Sequence, residues 1–306
     1  MTPAPHPPHA LLRPRILLPF LFVTLVWGST WLVIKDQIGS VPASWSVTWR
    51  FALAAVGMMA LALVRRESLK LDRAGHRLAL FVGVFQFVFN FQFVYRAEHH
   101  LTSGIVAVLF ALLMVPNALL SWAFLKQRPT PRFLFGSGIA LGGIALLLAH
   151  EFRIAPPEGS VGVGIVLTAL GILSASTANV IQASAAARSQ AVVPLLAWAM
   201  TYGALADAVF ALITAGPPQW EPRLGYFAGI AYLALVGSVA TFPLYFNLIR
   251  ELGPGRAAYN GVAVPVVAMG LSTLFEGYRW TLLAAGGGGL ALAGLVIALR
   301  ARNPAR

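Results

Sequence analysis

Apolar stretches of about membrane-crossing length, separated by short polar or breaker-rich joints, run from one end of the chain to the other. A helix needs roughly 20 mostly apolar residues to cross the hydrocarbon of a bilayer. Stretches of that kind fall at 16–34, 43–64, 77–97, 101–125, 131–149, 161–183, 192–214, 224–246, 257–276 and 280–299. Joints such as Gly39-Ser40-Val41-Pro42, Arg128-Pro129-Thr130-Pro131, Pro156-Pro157 and Gly216-Pro217-Pro218 supply the turn and breaker residues between them. The pattern predicts an all-α membrane protein of ten transmembrane helices, with no soluble domain between spans. Segment 16–34 follows Arg13 and Arg15 much as a signal peptide would, but no small-x-small cleavage site follows it. It therefore reads as the first span.

Composition fits lipid as the solvent. Of 306 residues, 58% are hydrophobic and 10% charged, against about 25% charged in an average soluble domain. So few charged groups could not cover a core of this size in water. The net charge of +12 does not point to nucleic acid, because the basic residues are spread along the joints and form no single patch. With the N-terminus in the cytoplasm, sixteen of the 22 lysines and arginines fall on the inner side. Five fall outside (Lys35, Arg96, Arg153, Arg223 and Arg279), and Arg50 lies within a span. Adding or removing one span would destroy this positive-inside bias, so ten spans with both termini cytoplasmic are expected. Cysteine is absent and all six histidines fall in tails or joints, so no cofactor, metal site or enzyme activity is expected.

The second half repeats the first. An offset of 151 residues lays Gly136, Gly138, Ala140, Leu141, Gly143 and Leu148 on Gly287, Gly289, Ala291, Leu292, Gly294 and Leu299. Pro116 corresponds to Pro265 at offset 149, and Tyr95 to Tyr245 at offset 150. Five spans per copy is an odd number, so the two copies must cross the membrane in opposite senses, as inverted-topology repeats. The expected organisation is a cytoplasmic tail at 1–15, a first five-helix repeat at 16–149 and an outer loop at 150–160. A second five-helix repeat at 161–299 and a cytoplasmic tail at 300–306 complete it.

Trp27-Gly28-Ser29-Thr30-Trp31 in the first span, Arg50-Phe51 in the second, and Pro265 followed by Glu276 at the end of the ninth stand in an order that is itself distinctive. On these residues the chain resembles the drug/metabolite transporter superfamily, and within it the EamA-type ten-helix exporters that include bacterial exporters of aromatic and other amino acids. The first half departs from the pattern, with Lys126-Gln127-Arg128 where a glutamate commonly follows the proline helix. The resemblance implies a location in the bacterial inner membrane and a central cavity that opens alternately to either side. It also implies efflux of amino acids or related small polar metabolites, and the lack of a carboxylate network favours facilitated or weakly coupled transport. An intramembrane enzyme and a non-transporting receptor or assembly protein are the alternatives.

Polar residues inside spans mark the candidate site, because they are costly in lipid and turn to a cavity or to another helix. Gln86 and Asn90 share one face of the third span, and Trp27 and Thr30 lie in the first. Ser174 and Thr177 in the sixth, Ser238 and Tyr245 in the eighth, and Tyr259 before the ninth complete the set. Rings with amides and hydroxyls suit a zwitterion with a variable side chain. Pro116 and Pro265 each remove a backbone hydrogen bond and are candidate hinges. Arg50 and Asp207, the ionisable residues within the spans, lie at matching depth and are expected to pair, or else to bind a proton or a carboxylate or to snorkel independently. The glycines of the fifth and tenth spans allow tight packing, inside the bundle or in a dimer, so a monomer and a homodimer are both compatible.

Overall fold

The computed structural model describes residues 14–154, 160–252 and 260–299, and among these every regular element is a helix. Among the described residues eight helices are long and apolar enough to cross a membrane, and two further apolar helices are shorter. In chain order they are α1 (Pro14–Gln37), α2 (Ala43–Val64), α3 (Arg73–Ala97), α4 (Ser103–Leu125) and α5 (Pro131–Ile154). The second half holds α6 (Val161–Ala183), α7 (Val192–Ala215), α8 (Leu224–Leu248), α9 (Asn260–Phe275) and α10 (Leu282–Leu299).

Local chemistry sets the ends. Asp72 caps α3 by accepting the Gly75 N–H at 2.7 Å, and Ser160 caps α6 through Val163 N–H at 3.4 Å. Lys126 stops α4 in the left-handed region at φ 60°, and Gly216 stops α7 at φ 75°. Large apolar side chains face outward around the bundle, including Leu282 at 95% exposure and Ile213 at 79%. In water a belt of that kind would drive aggregation, whereas lipid is its natural solvent.

Packing follows the repeat. Helix α5 lies along α10, α2 along α7, α1 against α8 and α9, and α6 against α3 and α4. Exchanging the halves (α1 for α6, α2 for α7 and so on) converts this set of neighbours into itself. The α5–α10 contact shows the same exchange atom by atom. A Cβ built on Gly136 would meet Ala298 N at 2.3 Å and Gly294 O at 2.7 Å, and one on Gly143 would meet Ala291 N at 2.3 Å and Gly287 O at 2.6 Å. Positions rise on one helix as they fall on the other, so these equivalent helices run antiparallel. The offset of 151 that relates Gly136 to Gly287 and Gly143 to Gly294 also relates the two contacts to each other. The glycines thus serve a seam inside one chain, where bare backbones approach for dispersion contacts that larger residues would block.

The two candidate hinges differ in form. Helix α4 narrows to a 3-10 turn at Ala111–Leu113 just before Pro116, whose ring and missing N–H disturb the carbonyl of Leu112 four residues back. Helix α9 passes Pro265 as continuous α-helix.

The broader irregularity is a π-helical segment in each half, at Gly83–Phe89 in α3 and Tyr232–Ala240 in α8. The two are again about 150 residues apart. Their i→i+5 ladder turns the helix face relative to a 3.6-residue period.

Candidate functional site

The two π segments bring polar groups into a ring-lined interior. In α8, Ser238 Oγ donates to Leu233 O five residues back at 2.8 Å, and Thr241 Oγ1 donates to Gly237 O at 2.7 Å. Trp27 of α1 drives its indole N–H into the same place, 2.9 Å from Thr241 Oγ1 and 3.3 Å from Gly237 O. In α3, Asn90 Nδ2 donates to Gln86 O at 3.3 Å, and Asn90 Oδ1 is buried without a partner.

Aromatic rings join the two segments. Tyr245 packs on Trp27 (centroids 4.8 Å apart), Trp27 on Phe242 (5.5 Å), Phe242 on Phe87 (5.4 Å), Phe87 on Phe51 (5.0 Å) and Phe51 on Phe91 (4.8 Å). At the end of this chain the guanidinium of Arg50 lies 4.3 Å from the Phe91 centroid and 5.2 Å from that of Phe51. Arg50 is 2% exposed. Nη2 donates to Ser238 Oγ at a long 3.4 Å and the Tyr95 hydroxyl lies close to the guanidinium, while Nε and Nη1 are buried with no hydrogen-bond partner among the described residues.

A buried guanidinium with spare donors is costly in the empty protein. The same group is well shaped to receive a planar oxyanion in two parallel hydrogen bonds.

The expected Arg50–Asp207 pair is not formed, because the two side chains leave their helices toward different neighbours. Arg50 of α2 turns to α8. Asp207 of α7 turns to α3, where Gln92 Nε2 donates to its Oδ1 at 2.7 Å. Arg96 Nη1 in turn donates to Gln92 Oε1 and, at 2.8 Å, to Gln92 O. The result is an Arg96–Gln92–Asp207 relay that braces α3 against α7. Sequence spacing gave no sign of Gln92.

The other candidate residues divide. Trp27, Ser238 and Tyr245 meet in the ring-lined cluster, and Gln86 and Asn90 belong to the α3 segment. Thr30, Ser174 and Thr177 donate to carbonyls of their own helices, at Trp27 O (2.8 Å), Leu170 O (2.8 Å) and Leu173 O (2.9 Å). Tyr259 lies outside the described residues.

Membrane-length apolar helices around a buried cation and a wall of rings define a polytopic membrane protein. The EamA-like transporter family matches twice, at residues 15–149 and 162–300. The chain belongs to that family, and transport is its general function. It is 25% identical to protein PagO of Salmonella typhimurium over 267 residues, 85% of this chain and 84% of that one. It is 30% identical to the uncharacterized inner membrane transporter YedA of Escherichia coli over 272 residues, 86% and 84% of the two chains. One solved crystal structure of 17% identity superposes with a TM-score of 0.68 over 92% of this chain and 95% of the other, which establishes the shared fold.

Proposed function

We propose that this protein exports amino acids or related small polar metabolites across the bacterial inner membrane by alternating access. In this reading ten helices span the membrane as two inverted five-helix repeats with both termini cytoplasmic, and transport is facilitative or weakly coupled.

The observation that carries the proposal is the buried guanidinium of Arg50 at the end of a ring-lined wall, with Nε and Nη1 lacking a partner among the described residues. The guanidinium receives the substrate carboxylate, while Trp27 and Tyr245 take the apolar part of its side chain. Asn90 Oδ1, buried and free, adds an acceptor suited to an amino group. The π segment of α8 is where α2 engages that helix most closely, so a change of helix phase there would expose the cluster to one side or the other. Pro116, beside its 3-10 turn, and Pro265 are the hinge candidates for that motion.

The test is uptake of a panel of radiolabelled amino acids into proteoliposomes holding the purified protein, with and without an imposed pH gradient. Saturable uptake without a gradient establishes facilitated transport and ranks the substrates. Uptake seen only with a gradient refutes the facilitative reading. Conversion of substrate without flux would place the protein among enzymes and overturn the proposal.

A further inference from the structure

The end of the bundle at which α1, α3 and α9 finish and α4 begins is closed by charged groups. Lys35 of α1 reaches the last turn of α3, where its ammonium donates to Glu98 O and, at 3.3 Å, to Leu101 O. A cation there complements the exposed carbonyls of a helix C-terminus. Glu276, just past α9, accepts from the N–H (3.3 Å) and hydroxyl of Ser103 at the start of α4, where a carboxylate complements the free amides. Tyr95 Oη donates to Gln37 Oε1 at 3.4 Å. These contacts tie α1 to α3 and α4, and tie α4 of the first half to α9 of the second. A cleft of ≈ 590 Å³ adjoins the closure, with Lys35, Asp36, Glu276 and Tyr232 among its walls.

One group in this closure has no bonding role. The Glu98 side chain is 0% exposed, and both of its carboxyl oxygens are buried without a hydrogen-bond partner. A bare carboxylate in that position would forfeit its hydration and receive nothing in return. Lys35 relieves it only in part, since its ammonium is engaged by backbone carbonyls and lines the same cleft as a second acid, Glu276. The other charged or titratable neighbours are Arg50 of α2, held over the Phe91 ring, and Tyr95, His99 and His100 of its own segment. His99 is kept below its ordinary range by burial and by Lys35. Asp36, also in the cleft, is occupied by Arg223 at 2.8 Å.

We propose that Glu98 is a proton-binding site whose occupancy locks this end of the transporter shut. In the closed form Glu98 is a neutral acid and Lys35 caps α3. On opening, water reaches the carboxyl, its proton leaves to the solvent on that side, and the carboxylate takes Lys35 as its ion partner in place of the carbonyls. Proton uptake reverses the exchange.

The proton enters and leaves from one side, so the site sets how readily this end opens and drives no net proton movement across the membrane. That agrees with facilitated transport. Under the orientation proposed above this end faces outward, and only the side of the pH response rests on that reading.

Linkage fixes the sign. Burial pushes the Glu98 carboxyl well above the usual carboxylate range in the closed form, with Lys35 opposing, Glu276 adding and Arg50 opposing. In the open form the value returns towards ~4.3. Between the two values closure is favoured by acid, and the open fraction rises about tenfold per pH unit. Above the closed-form value both forms are ionised and the slope vanishes.

The natural chain has no cysteine, so a single reporter thiol can be placed at Ala97, which is fully buried in this closure. Right-side-out membrane vesicles carrying Ala97→Cys are treated with a membrane-impermeant maleimide between pH 5.5 and 8. The labelling rate is divided by that of the exposed reporter Pro218→Cys, which removes the thiol's own pH dependence. The expected ratio climbs with external pH at up to about tenfold per unit, and Glu98→Gln, a permanent mimic of the protonated form, holds it low and flat. A flat ratio in the parent, or an unchanged slope in Glu98→Gln, overturns the proposal. If Glu98→Gln does not fold, Lys35→Gln serves instead, because loss of the waiting cation must move the response to higher pH; an unmoved response overturns the exchange. A response to internal pH alone overturns the orientation while keeping the proton site.

Discussion

Replacing Arg50 by methionine separates a functional cation from a structural one, because the two roles predict opposite effects on stability. In the empty protein the guanidinium leaves Nε and Nη1 buried and unpartnered, and an unsatisfied buried donor costs about 1–3 kcal/mol. Against that stand the contact with the Phe91 ring at 4.3 Å, of about 1–2 kcal/mol, and one long hydrogen bond to Ser238. The balance is near zero or unfavourable to Arg50. Methionine is of similar reach and adapts to irregular gaps, so Arg50→Met is expected to match or exceed the parent in thermal unfolding, with Tm in detergent unchanged or raised. Transport moves the other way. A charge-assisted pair with a substrate carboxylate is worth about 1.5–3 kcal/mol, which at about 1.4 kcal/mol per tenfold is a KM higher by roughly 10- to 150-fold. The assay is concentration-dependent uptake, in proteoliposomes, of the amino acid that the parent transports best. An unchanged KM would remove Arg50 from the binding site. A marked fall in Tm would make it a structural residue.

Three further outcomes follow from the geometry. Gly143→Ala should destabilise the bundle by about 1–3 kcal/mol in detergent unfolding, as overpacking of a tight contact does, because its Cβ would meet backbone of α10 at 2.3 Å. Gly142→Ala on the same helix, with nothing within 4 Å, should be neutral or slightly stabilising. Trp27→Phe keeps most of the ring contacts but loses the N–H to Thr241 and Gly237. A stability loss of about 1 kcal/mol is expected, and an unchanged Tm would deny that bond any weight. Asp207→Asn preserves an acceptor for Gln92, so uptake and its response to a pH gradient should stay within about twofold of the parent, as for a structural brace; loss of the gradient response would make Asp207 a coupling site.

What could be read from the chain beforehand was whatever depends on a single helix or on a fixed offset. Apolar length located the helices, and the offset of 151 picked out the four glycines of the α5–α10 seam, where Gly136 meets Gly294 and Gly143 meets Gly287. Trp27, Ser238 and Tyr245 stood out as candidates because a polar or amphipathic side chain deep in a span is conspicuous on its own. Partner choice was not readable, since it depends on how each helix is rotated about its axis. A 3.6-residue period assigns that rotation only while the helix stays α, and both α3 and α8 pass through a π segment that resets it. Gln92 and Asp207 therefore meet although depth alone had suggested Arg50 for Asp207. Phe87, Phe91 and Phe242 looked like ordinary apolar residues until the fold aligned them with Phe51 into one wall.

Glu98 was hidden for a different reason. A hydropathy reading ends the third span at Ala97 and treats the next residue as joint, where a carboxylate needs no explanation. The fold instead sinks the α3–α4 junction beneath Lys35 and Glu276, so that a residue outside the apolar stretch becomes one of the most completely buried acids of the chain. The same logic explains why the glycine pairs are split. Gly136 and Gly143 abut backbone, while Gly138 and Gly142 face open space, because only every seventh residue or so returns to a seam between two crossing helices. Offsets and lengths survive translation from sequence to structure, whereas side-chain partners depend on helix phase. In this protein that phase is set by two short segments, Gly83–Phe89 and Tyr232–Ala240, the second of which carries the Ser238 hydroxyl that meets the Arg50 guanidinium.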